Sequence, residues 1–464
     1  MSRDTPARYP ATGFIRVPDG LEESRMKRIT YGLVGGLLLA AAVPSTVFAA
    51  EEIPVDSGNT AWLLISTALV MIMLPGLALF YGGLVRRKNV LSTIMHSFFG
   101  LAIVSIVWVL IGFSLAFAPD ANLFGVTGLV GGLDFAGFMN VGLTVNETYG
   151  TAAAVPFVLF ASFQLMFAAI TPALITGAFA ERKRFASFVV FTILWSIFVY
   201  SPIAHWVWAS DGWLFQAGAL DFAGGTVVHA SSGVSALIVA LLIGKRVVNG
   251  DRMEPHDIPM TVLGAGLLWF GWFGFNAGSE LGADGIAANA LLVTNTAAAA
   301  ATITWVLASY LHHGKVSVVG AACGAVAGLV AITPASGFVT AGGAVIIGLS
   351  AGLICYSFTL LRSFLKIDDA LDVFAVHGVG GTFGAIATGV FATTAINYGS
   401  GLINGNPSQV WTQIVAVGAV VAYAVVGTFL IVKVTGLVLG IRVKSDQEEV
   451  GLDLAVHGEV AYQS

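Results

Sequence analysis

The chain has 464 residues, of which 57% are hydrophobic and only 10% are charged, and its mean hydropathy is +0.87. A composition this apolar excludes a soluble domain of the same length and is typical of an all-α protein with many membrane-spanning helices. The formal net charge of −5 is too small to indicate a nucleic-acid partner.

The first 49 residues differ from the rest of the chain. Residues 1–24 are polar, and three basic residues then precede an apolar run at 31–42 that is short for a membrane span. Small residues in Val47-Phe-Ala49 fit a signal-peptidase site. We therefore expect residues 1–49 to form a disordered N-terminus and a secretory signal peptide cleaved after Ala49. A retained helix is the alternative, and Met26 is an alternative start of the protein.

Beyond Ala50 the sequence contains eleven apolar segments long enough to cross a bilayer as helices. They lie at 60–84, 92–118, 152–180, 185–205, 225–244, 258–278, 286–310, 316–333, 340–361, 370–391 and 409–440. The sequence thus predicts a membrane domain over residues 50–440 and a cytoplasmic regulatory tail over residues 441–464.

Basic residues follow every odd-numbered segment, as in Arg86-Arg-Lys88 after the first and Arg182-Lys-Arg184 after the third. The intervening loops, 119–151, 206–224, 279–285, 334–339 and 392–408, contain no Lys or Arg. Because basic loops stay in the cytoplasm, this asymmetry predicts a multi-pass protein of the plasma (inner) membrane. Its mature N-terminus is expected outside and its C-terminus inside.

Two apolar segments contain a His that lies eight residues after an Asp at the start of the same stretch: His229 after Asp221, and His377 after Asp369. These segments are the fifth and the tenth, which are equivalent places in two halves of five helices. Halves with an odd number of helices form inverted repeats, whose sites lie at their interface near the bilayer midplane. The fold class is therefore eleven transmembrane helices, as two inverted five-helix repeats plus a long last helix. Each His could instead merely bond a neighbouring helix.

Buried imidazoles in hydrocarbon stay neutral and offer one hydrogen-bond donor and one acceptor each. Two of them could line a path for a small polar molecule or relay a proton. No metal-binding spacing, phosphate loop or nucleophile elbow occurs, so we expect neither an enzyme nor a metal or other cofactor. Cys323 and Cys355 are interpreted as small apolar packing residues.

Aromatic residues surround the predicted site. Phe167 lies in the third segment, Trp272 and Phe275 lie in the sixth, and Ser279 follows them. Rings beside a hydroxyl group can attract a small cation, and a phenyl pair can close a pore to hydrated ions. For Trp206 and Trp213 we favour an aromatic belt at the membrane interface.

Joint motifs over residues 55–464 resemble the ammonium transporters of the Amt/Mep/Rh family, in particular the bacterial Amt type. They are Phe80-Tyr-Gly-Gly-Leu-Val-Arg-Arg-Lys-Asn89, Gly177-Ala-Phe-Ala-Glu-Arg182, Ile203-Ala-His-Trp-Val-Trp208, Ala219-Leu-Asp-Phe-Ala-Gly-Gly-Thr-Val-Val-His229, Gly274-Phe-Asn-Ala-Gly-Ser279, Asp372-Val-Phe-Ala-Val-His-Gly378 and the tail Gly451–Tyr462.

The resemblance implies an ammonium site at Trp208, Phe167 and Ser279, and a gate formed by Phe167 and Phe275. It also implies pore residues His229, His377 and Trp272, with Asp221 positioning the site or assisting deprotonation. Capping of the fifth helix is the alternative role for Asp221. Phe80 and Tyr81 are expected to be packing residues.

The family implies a transporter that deprotonates ammonium and conducts ammonia, with the proton crossing separately. It further implies a homotrimer and a PII-type (GlnK-like) regulatory protein that docks at the tail. Two other functions stay open: a membrane ammonium sensor or receptor, and an Rh-like channel for a neutral gas.

Overall fold

The computed structural model describes residues 53–123, 125–150, 152–247 and 254–462, and within them it contains helices and isolated β-bridges but no β-strand. The predicted signal peptide lies outside these residues. The eleven helical spans are α1 Ser57–Leu84, α2 Arg87–Phe117, α3 Phe157–Phe179, α4 Phe185–Gln216, α5 Gly225–Ile243, α6 Ile258–Glu280, α7 Gly285–His313, α8 Val318–Ile332, α9 Ala341–Phe364, α10 Phe374–Phe391 and α11 Ser408–Leu439.

Ten of these described spans are long and apolar enough to cross a membrane, and α8 is a shorter apolar helix of 15 residues. Each lies at one of the eleven predicted positions, which confirms an all-helical multi-pass fold. The predicted third segment began too early, because residues 152–156 form turns and the helix begins at Phe157.

Several spans begin at a residue whose side chain accepts a hydrogen bond from the free backbone N–H groups of the first turn. Asp56 accepts from the backbone N–H of Asn59 at the start of α1, and Asp257 accepts from that of Met260 in α6. Such N-caps each stabilise a helix by about 1 kcal/mol. These caps fix the residue at which each helix begins.

The two halves of the chain share an unusual feature in α5 and α10. Each begins with a π-helical segment, Gly225–Ala230 in α5 and Phe374–Val379 in α10, and each segment contains one of the paired histidines. A buried aspartate precedes both, and Asp369 Oδ2 accepts a hydrogen bond from the Phe374 N–H at 2.7 Å. π-Helical turns are rare and are often found at functional sites.

Helices α5 and α10 cross with their backbones in contact. A Cβ atom added to Gly233 would lie 1.9 Å from the backbone nitrogen of Gly378. A Cβ atom on Gly381 would lie 2.7 Å from the Cβ atom of His229. Small residues allow helices to approach closely in lipid. Gly233 and Gly381 each lie four residues after a histidine, so the glycines bring the two histidines together.

The basic loops meet at one end of the bundle. Glu181, in the loop after α3, is buried and forms ion pairs with Arg86 (2.9 Å) and Arg246 (3.0 Å) from the loops after α1 and α5. Arg246 also pairs with Asp368, which follows α9, at 2.7 Å. Burial raises the pKa of Glu181, but the guanidinium groups of Arg246 and Arg86 outweigh it and leave that pKa below its usual value.

The tail packs against this same end. Glu448 is fully buried and accepts hydrogen bonds from Arg442 and from the Val247 backbone N–H. Asp453, 2% exposed, accepts a 2.8 Å hydrogen bond from the Ser92 N–H near the start of α2. The tail is therefore an ordered part of the fold and joins the ends of several helices.

Candidate functional site

A cavity of about 300 Å³ opens at the end of the bundle opposite the basic loops. It brings together Trp208, Phe167 and Ser279, the three residues that the family resemblance implies for an ammonium site. Tyr149, Gln164 and Phe215 also line it. The cavity thus combines aromatic faces with a few hydroxyl and amide groups.

Hydrogen bonds orient two of these side chains. The Trp208 indole N–H donates to the backbone carbonyl of Asp221 at 2.9 Å, and the ring stands perpendicular to that of Phe167 with 5.8 Å between the centroids, so its orientation is fixed. The Ser279 hydroxyl donates to the Phe275 carbonyl at 2.8 Å. Because this bond uses the only hydroxyl proton, the oxygen lone pairs of Ser279 can only accept. That arrangement suits a ligand that carries hydrogen-bond donors and a positive charge.

Two phenyl rings close the inner end of the cavity. The ring centroids of Phe167 and Phe275 lie 4.3 Å apart with 37° between the ring planes, and both side chains are almost fully buried. Phe163 packs edge-to-face against Phe167 with ring centroids 4.9 Å apart and holds it from behind. A tight apolar constriction of this kind excludes hydrated ions.

A narrow enclosed cavity lies below the rings and has only about 10 Å³ of room for the centre of a water-sized molecule. His229 and His377 line it, and so does Trp272. The remaining wall is apolar and includes Leu77 and Val326. This volume is close to the minimum that holds a single water molecule.

The two histidines form one hydrogen-bonded unit. Their Nδ1 atoms are 3.2 Å apart and their ring centroids 5.3 Å apart. His229 also stacks on Trp272 and on Phe275, with centroid distances of 5.4 and 5.9 Å. Among the described residues, His229 Nε2 has no hydrogen-bond partner.

The short Nδ1–Nδ1 distance fixes how the neutral pair shares its protons. One Nδ1 must carry a proton and donate it, while the other must accept. The Nε2 atom of the donor ring is then an acceptor, and that of the acceptor ring is a donor. The pair therefore presents one donor and one acceptor beyond its shared bond, which matches a molecule such as ammonia.

Trp272 is fixed by a hydrogen bond from its indole N–H to the Thr333 hydroxyl at 2.8 Å. Thr333 directly follows α8, so this contact joins α6 to the end of α8. The Thr333 hydroxyl in turn donates to the Leu329 carbonyl. Trp272 is thereby kept as a rigid wall beside the histidines.

Asp221 does not line either cavity. Its carboxylate accepts hydrogen bonds from the backbone N–H groups of Gly224, Gly225, Thr226 and Val227 and from the Thr226 hydroxyl. Burial raises the pKa of Asp221, and the bonds from Thr226 oppose that shift. This geometry matches the alternative role of Asp221, which is to cap the N-terminus of α5. Its link to the outer cavity is the hydrogen bond that its backbone carbonyl accepts from Trp208.

Some lining residues were missed from the sequence, and one placement was wrong. Phe80, expected to be a packing residue, lines the inner cavity with the histidines. Tyr149 comes from a long loop without periodic pattern, so no signal marked it. Trp206 does not belong to an exposed belt, because it is 8% exposed and packs on Tyr423 with ring centroids 4.7 Å apart.

Within the described part of the chain, no group of three or more His, Cys, Asp or Glu side chains could hold a metal ion. Cys323 and Cys355 are both free thiols. The site therefore offers neutral polar atoms and aromatic faces rather than ligands for a dehydrated metal.

Known proteins share the sequence features of this chain. The profile of the Ammonium Transporter Family matches residues 61–462. The chain is 50% identical over 410 residues to the ammonium transporter of Bacillus subtilis (strain 168), a match that covers 88% of this chain and 98% of that protein.

Solved structures give the same result. The fold is similar to the crystal structure of Saccharomyces cerevisiae Mep2, with a TM-score of 0.81, 38% identity, and coverage of 88% of this chain and 92% of that one. It is also similar to a structure described as "Sensor Amt Protein", with a TM-score of 0.79, 30% identity, and coverage of 86% and 98%.

Proposed function

The chain belongs to the ammonium transporter family, and on that premise we propose that it recruits ammonium in the outer cavity, removes a proton near the phenyl rings and conducts ammonia past the paired histidines. The protein is a membrane transporter rather than an enzyme. The observation that carries the proposed mechanism is the coupled pair His229 and His377 directly below a closed phenyl gate.

Recruitment uses the outer cavity. The face of Trp208 and the ring of Phe167 attract a cation through their π systems, and Ser279 accepts one of its N–H groups. Desolvation strengthens such contacts, and the site is partly shielded from water by the surrounding aromatic rings. Potassium has the same charge and a similar size, so this step alone discriminates poorly between the two ions.

Selectivity arises at the gate. Phe167 and Phe275 leave no path for a hydrated ion, and the cavity below is apolar apart from the two imidazoles and the Trp272 indole. Ammonium can lose a proton and continue as a neutral molecule, whereas potassium cannot. A charged group in such a pore would lose its hydration without a compensating counter-charge.

The histidine pair serves the neutral molecule and its proton. One free ring nitrogen accepts a hydrogen bond from ammonia and the other donates one. The same shared Nδ1–H···Nδ1 bond offers a route along which the proton crosses separately, which makes net transport electrogenic. Asp221 acts as a positioning residue, because it caps α5 and fixes Trp208 through its carbonyl.

The distribution of basic residues supports an orientation of the protein in the membrane. The end that carries Arg86, Arg246 and Arg442 faces the cytoplasm, and the end with the outer cavity faces outward, in a plasma (inner) membrane. Residues 1–49 serve as a signal segment, 50–440 as the transport domain and 441–464 as a cytoplasmic regulatory tail. Accessibility of single engineered cysteines to a membrane-impermeant reagent in intact cells tests this orientation.

We also infer a homotrimer with one pore in each subunit. Apolar side chains on α7, such as Ile303 (65% exposed) and Leu307 (53% exposed), are uncovered in the single chain and are available for lipid or for a second copy. Mass measurement of the detergent-purified protein tests the trimer, and a monomeric mass contradicts it.

The tail is proposed to be the docking site for a PII-type signal protein, which blocks the pore from inside when nitrogen is plentiful. Its support is the ordered surface formed by residues 445–462 on the cytoplasmic end. Membranes that contain the chain should retain a purified PII protein at low 2-oxoglutarate. Equal retention by a variant truncated after Gly440 contradicts docking at the tail.

The sensor alternative rests on the similarity to the protein described as a sensor. A sensor would bind ammonium without carrying current. An Rh-like channel for a neutral gas would carry flux without charge. Both alternatives predict proteoliposomes that generate no current on an ammonium jump.

The deciding experiment records currents from proteoliposomes after rapid addition of ammonium or potassium. We expect a transient current with ammonium and none with potassium. Trp208→Leu removes the cation–π face and should raise the KM for ammonium, while Trp411→Leu, at a lipid-exposed position (67% exposed), is the matched control. Equal currents for ammonium and potassium contradict the proposed mechanism.

A further inference from the structure

Helix α11 follows the two halves of the fold, and one polar residue near its N-terminal end is buried. Gln413 is 1% exposed, although the run from Val410 to Leu439 is mostly apolar. A buried carboxamide without hydrogen-bond partners would destabilise a membrane helix, because lipid supplies no substitute for them. The partners of Gln413 therefore indicate the role of this residue.

The Gln413 carboxamide makes the full number of hydrogen bonds that an amide can make. Its Oε1 accepts from the Leu220 backbone N–H at 2.8 Å and from Gln409 Nε2 at 3.3 Å. Its Nε2 donates to the Leu220 carbonyl at 2.7 Å and to the Ala385 carbonyl in α10 at 2.9 Å. One side chain thus holds both backbone polar groups of a loop residue and attaches that residue to α10 and α11.

Close packing leaves Gln413 little freedom. Gly389 of α10 lies against it, and a Cβ atom added to this glycine would be 2.9 Å from Gln413 Cγ. Leu220, on the other side, is 4% exposed and packs in a small apolar cluster with Phe338. Packing and four hydrogen bonds together restrict the carboxamide to one orientation.

The residue that Gln413 holds directly precedes Asp221. Only the φ and ψ angles of Asp221 separate the peptide plane that contains the Leu220 carbonyl from the one that contains the Asp221 carbonyl. The second plane is anchored from the C-terminal side, where the Phe222 N–H donates to the Pro334 carbonyl at 3.2 Å. Gln413 supplies the buried anchor for the first plane.

The orientation of Trp208 depends on the position of the Asp221 carbonyl. The indole N–H donates to this carbonyl at 2.9 Å, and an indole has no other polar group with which to replace the bond. When the carbonyl moves, the indole must follow it or lose the bond. Contacts therefore lead from Gln413 through the backbone at 220–221 to the indole ring.

We propose that Gln413 is a positioning residue for the outer ammonium site, and that its carboxamide sets the orientation of the Trp208 indole through the backbone at 220–221. This inference rests on the proposed transport function and adds a residue that lines neither the outer nor the inner cavity. Cation–π attraction depends on where the face of the ring points, so a displaced indole binds ammonium more weakly. Helix α11 thereby acts in substrate recruitment without touching the substrate.

Gln413→Met is the most direct variant. Methionine has a similar length and is also unbranched, but its sulfur cannot donate a hydrogen bond and is only a weak acceptor. Both backbone groups of Leu220 then lose their side-chain partner. Gln413→Glu is a milder second variant, because a carboxyl oxygen can still accept from the Leu220 N–H while at least one donated bond is lost. The same comparisons apply to it if Gln413→Met gives no folded protein.

Thr428→Val is the matched control on the same helix. Thr428 is fully buried, and its hydroxyl donates to Ser235 Oγ at 2.8 Å and accepts from Trp195 Nε1 at 3.1 Å. It lies 15 residues after Gln413, which is about 22 Å further along the helix. The control therefore removes buried hydrogen bonds between α11 and its neighbours without changing the backbone at 220–221.

Ammonium-evoked currents from proteoliposomes give the first readout. Gln413→Met should raise the KM for ammonium about three- to tenfold, with the maximal current within about twofold of the parent, since the phenyl rings and the histidine pair are unchanged. Gln413→Glu should give a smaller rise. Thr428→Val should keep the parental KM although its Tm also falls, so a loss of stability alone does not explain the effect.

The double variant Gln413→Met/Trp208→Leu separates positioning from a general structural effect. If Gln413 acts through the indole, its replacement should have no further effect once the ring is absent. The KM of the double variant should then equal that of Trp208→Leu within about twofold. A further rise of about threefold or more would show that the two residues act independently and would overturn the proposal.

A structure of the Gln413→Met protein provides a readout that does not depend on transport. We expect the Trp208 indole nitrogen to lie beyond hydrogen-bond distance from the Asp221 carbonyl oxygen, or the ring to be rotated. A parental ring orientation, or a parental KM in a protein that conducts ammonium selectively, overturns the inference and leaves the proposed transport intact. A parent protein without ammonium current contradicts the proposed function instead, and the structure of the variant then decides the positioning role.

Discussion

The Nδ1 atoms of His229 and His377 lie 3.2 Å apart, although 148 residues separate them in the chain. At this distance the two rings cannot hold protons independently, because a proton on one Nδ1 requires a lone pair on the other. The pair thus behaves as a single unit with one donor and one acceptor left for the pore. Its position directly below the two phenyl rings is the basis of the proposal that selectivity and proton transfer are linked.

The closeness of the histidines depends on the glycine crossing, and Gly233→Ala tests it. The new methyl group would overlap the backbone of Gly378, with 1.9 Å between the Cβ atom and the amide nitrogen. We expect a loss of about 3 kcal/mol or more in folding free energy, seen as a low Tm or poor yield of purified protein. Gly266→Ala is the control, since its Cβ would meet no atom within 4 Å. Equal stability of the two variants would contradict the close crossing.

Phe275→Ala tests the gate. Removing this ring leaves Phe167 without its stacking partner and opens the constriction above the histidines. We expect the ratio of ammonium current to potassium current to fall by about tenfold or more, as water and hydrated ions enter. The neighbouring Phe273→Ala should keep the ratio of the parent protein. A variant at Phe275 that stays fully selective would place the discrimination elsewhere.

Lys183, in the loop between α3 and α4, gives a pH-dependent stability. It is 1% exposed and its ammonium group lies over the rings of Phe179 and Phe191 at 5.3 and 5.2 Å. Burial lowers its pKa from 10.5 to about 7. The unfolded chain therefore binds a proton more readily than the folded chain between these values, and stability falls as the pH drops from about 10 to about 7.

The variant Lys183→Met removes the proton-binding group and should flatten this part of the Tm-against-pH curve in detergent solution. Its Tm at pH 7 should be higher than that of the parent. Lys315→Met, at an exposed position, should retain the parental slope. A parental slope in Lys183→Met would show that Lys183 is not the source of the pH dependence.

The helical fold was predictable because long apolar runs alternate with loops of contrasting charge. The pairing of α5 and α10 was also predictable, since the Asp–eight–His spacing and the glycine four residues later recur at equivalent places. Local sequence carries this information directly. It required no knowledge of distant contacts.

The residues that line the cavities were harder to predict from the sequence. Phe80 lines the pore because α1 packs closely against α6, whose Trp272 and Phe275 line the same cavity, and Tyr149 reaches the entrance from an irregular loop. Such relationships arise from tertiary packing, which no periodic pattern encodes.

The most direct test of the central claim is the ammonium-evoked current in proteoliposomes that contain the double variant His229→Leu/His377→Leu. Leucine fills the pore but cannot accept, donate or pass a proton. We predict the loss of selective, electrogenic ammonium uptake. His312→Leu/His313→Leu, which removes two exposed imidazoles at the end of α7, should conduct like the parent. Unchanged, selective ammonium currents in the pore double variant would contradict the role assigned to the histidine pair.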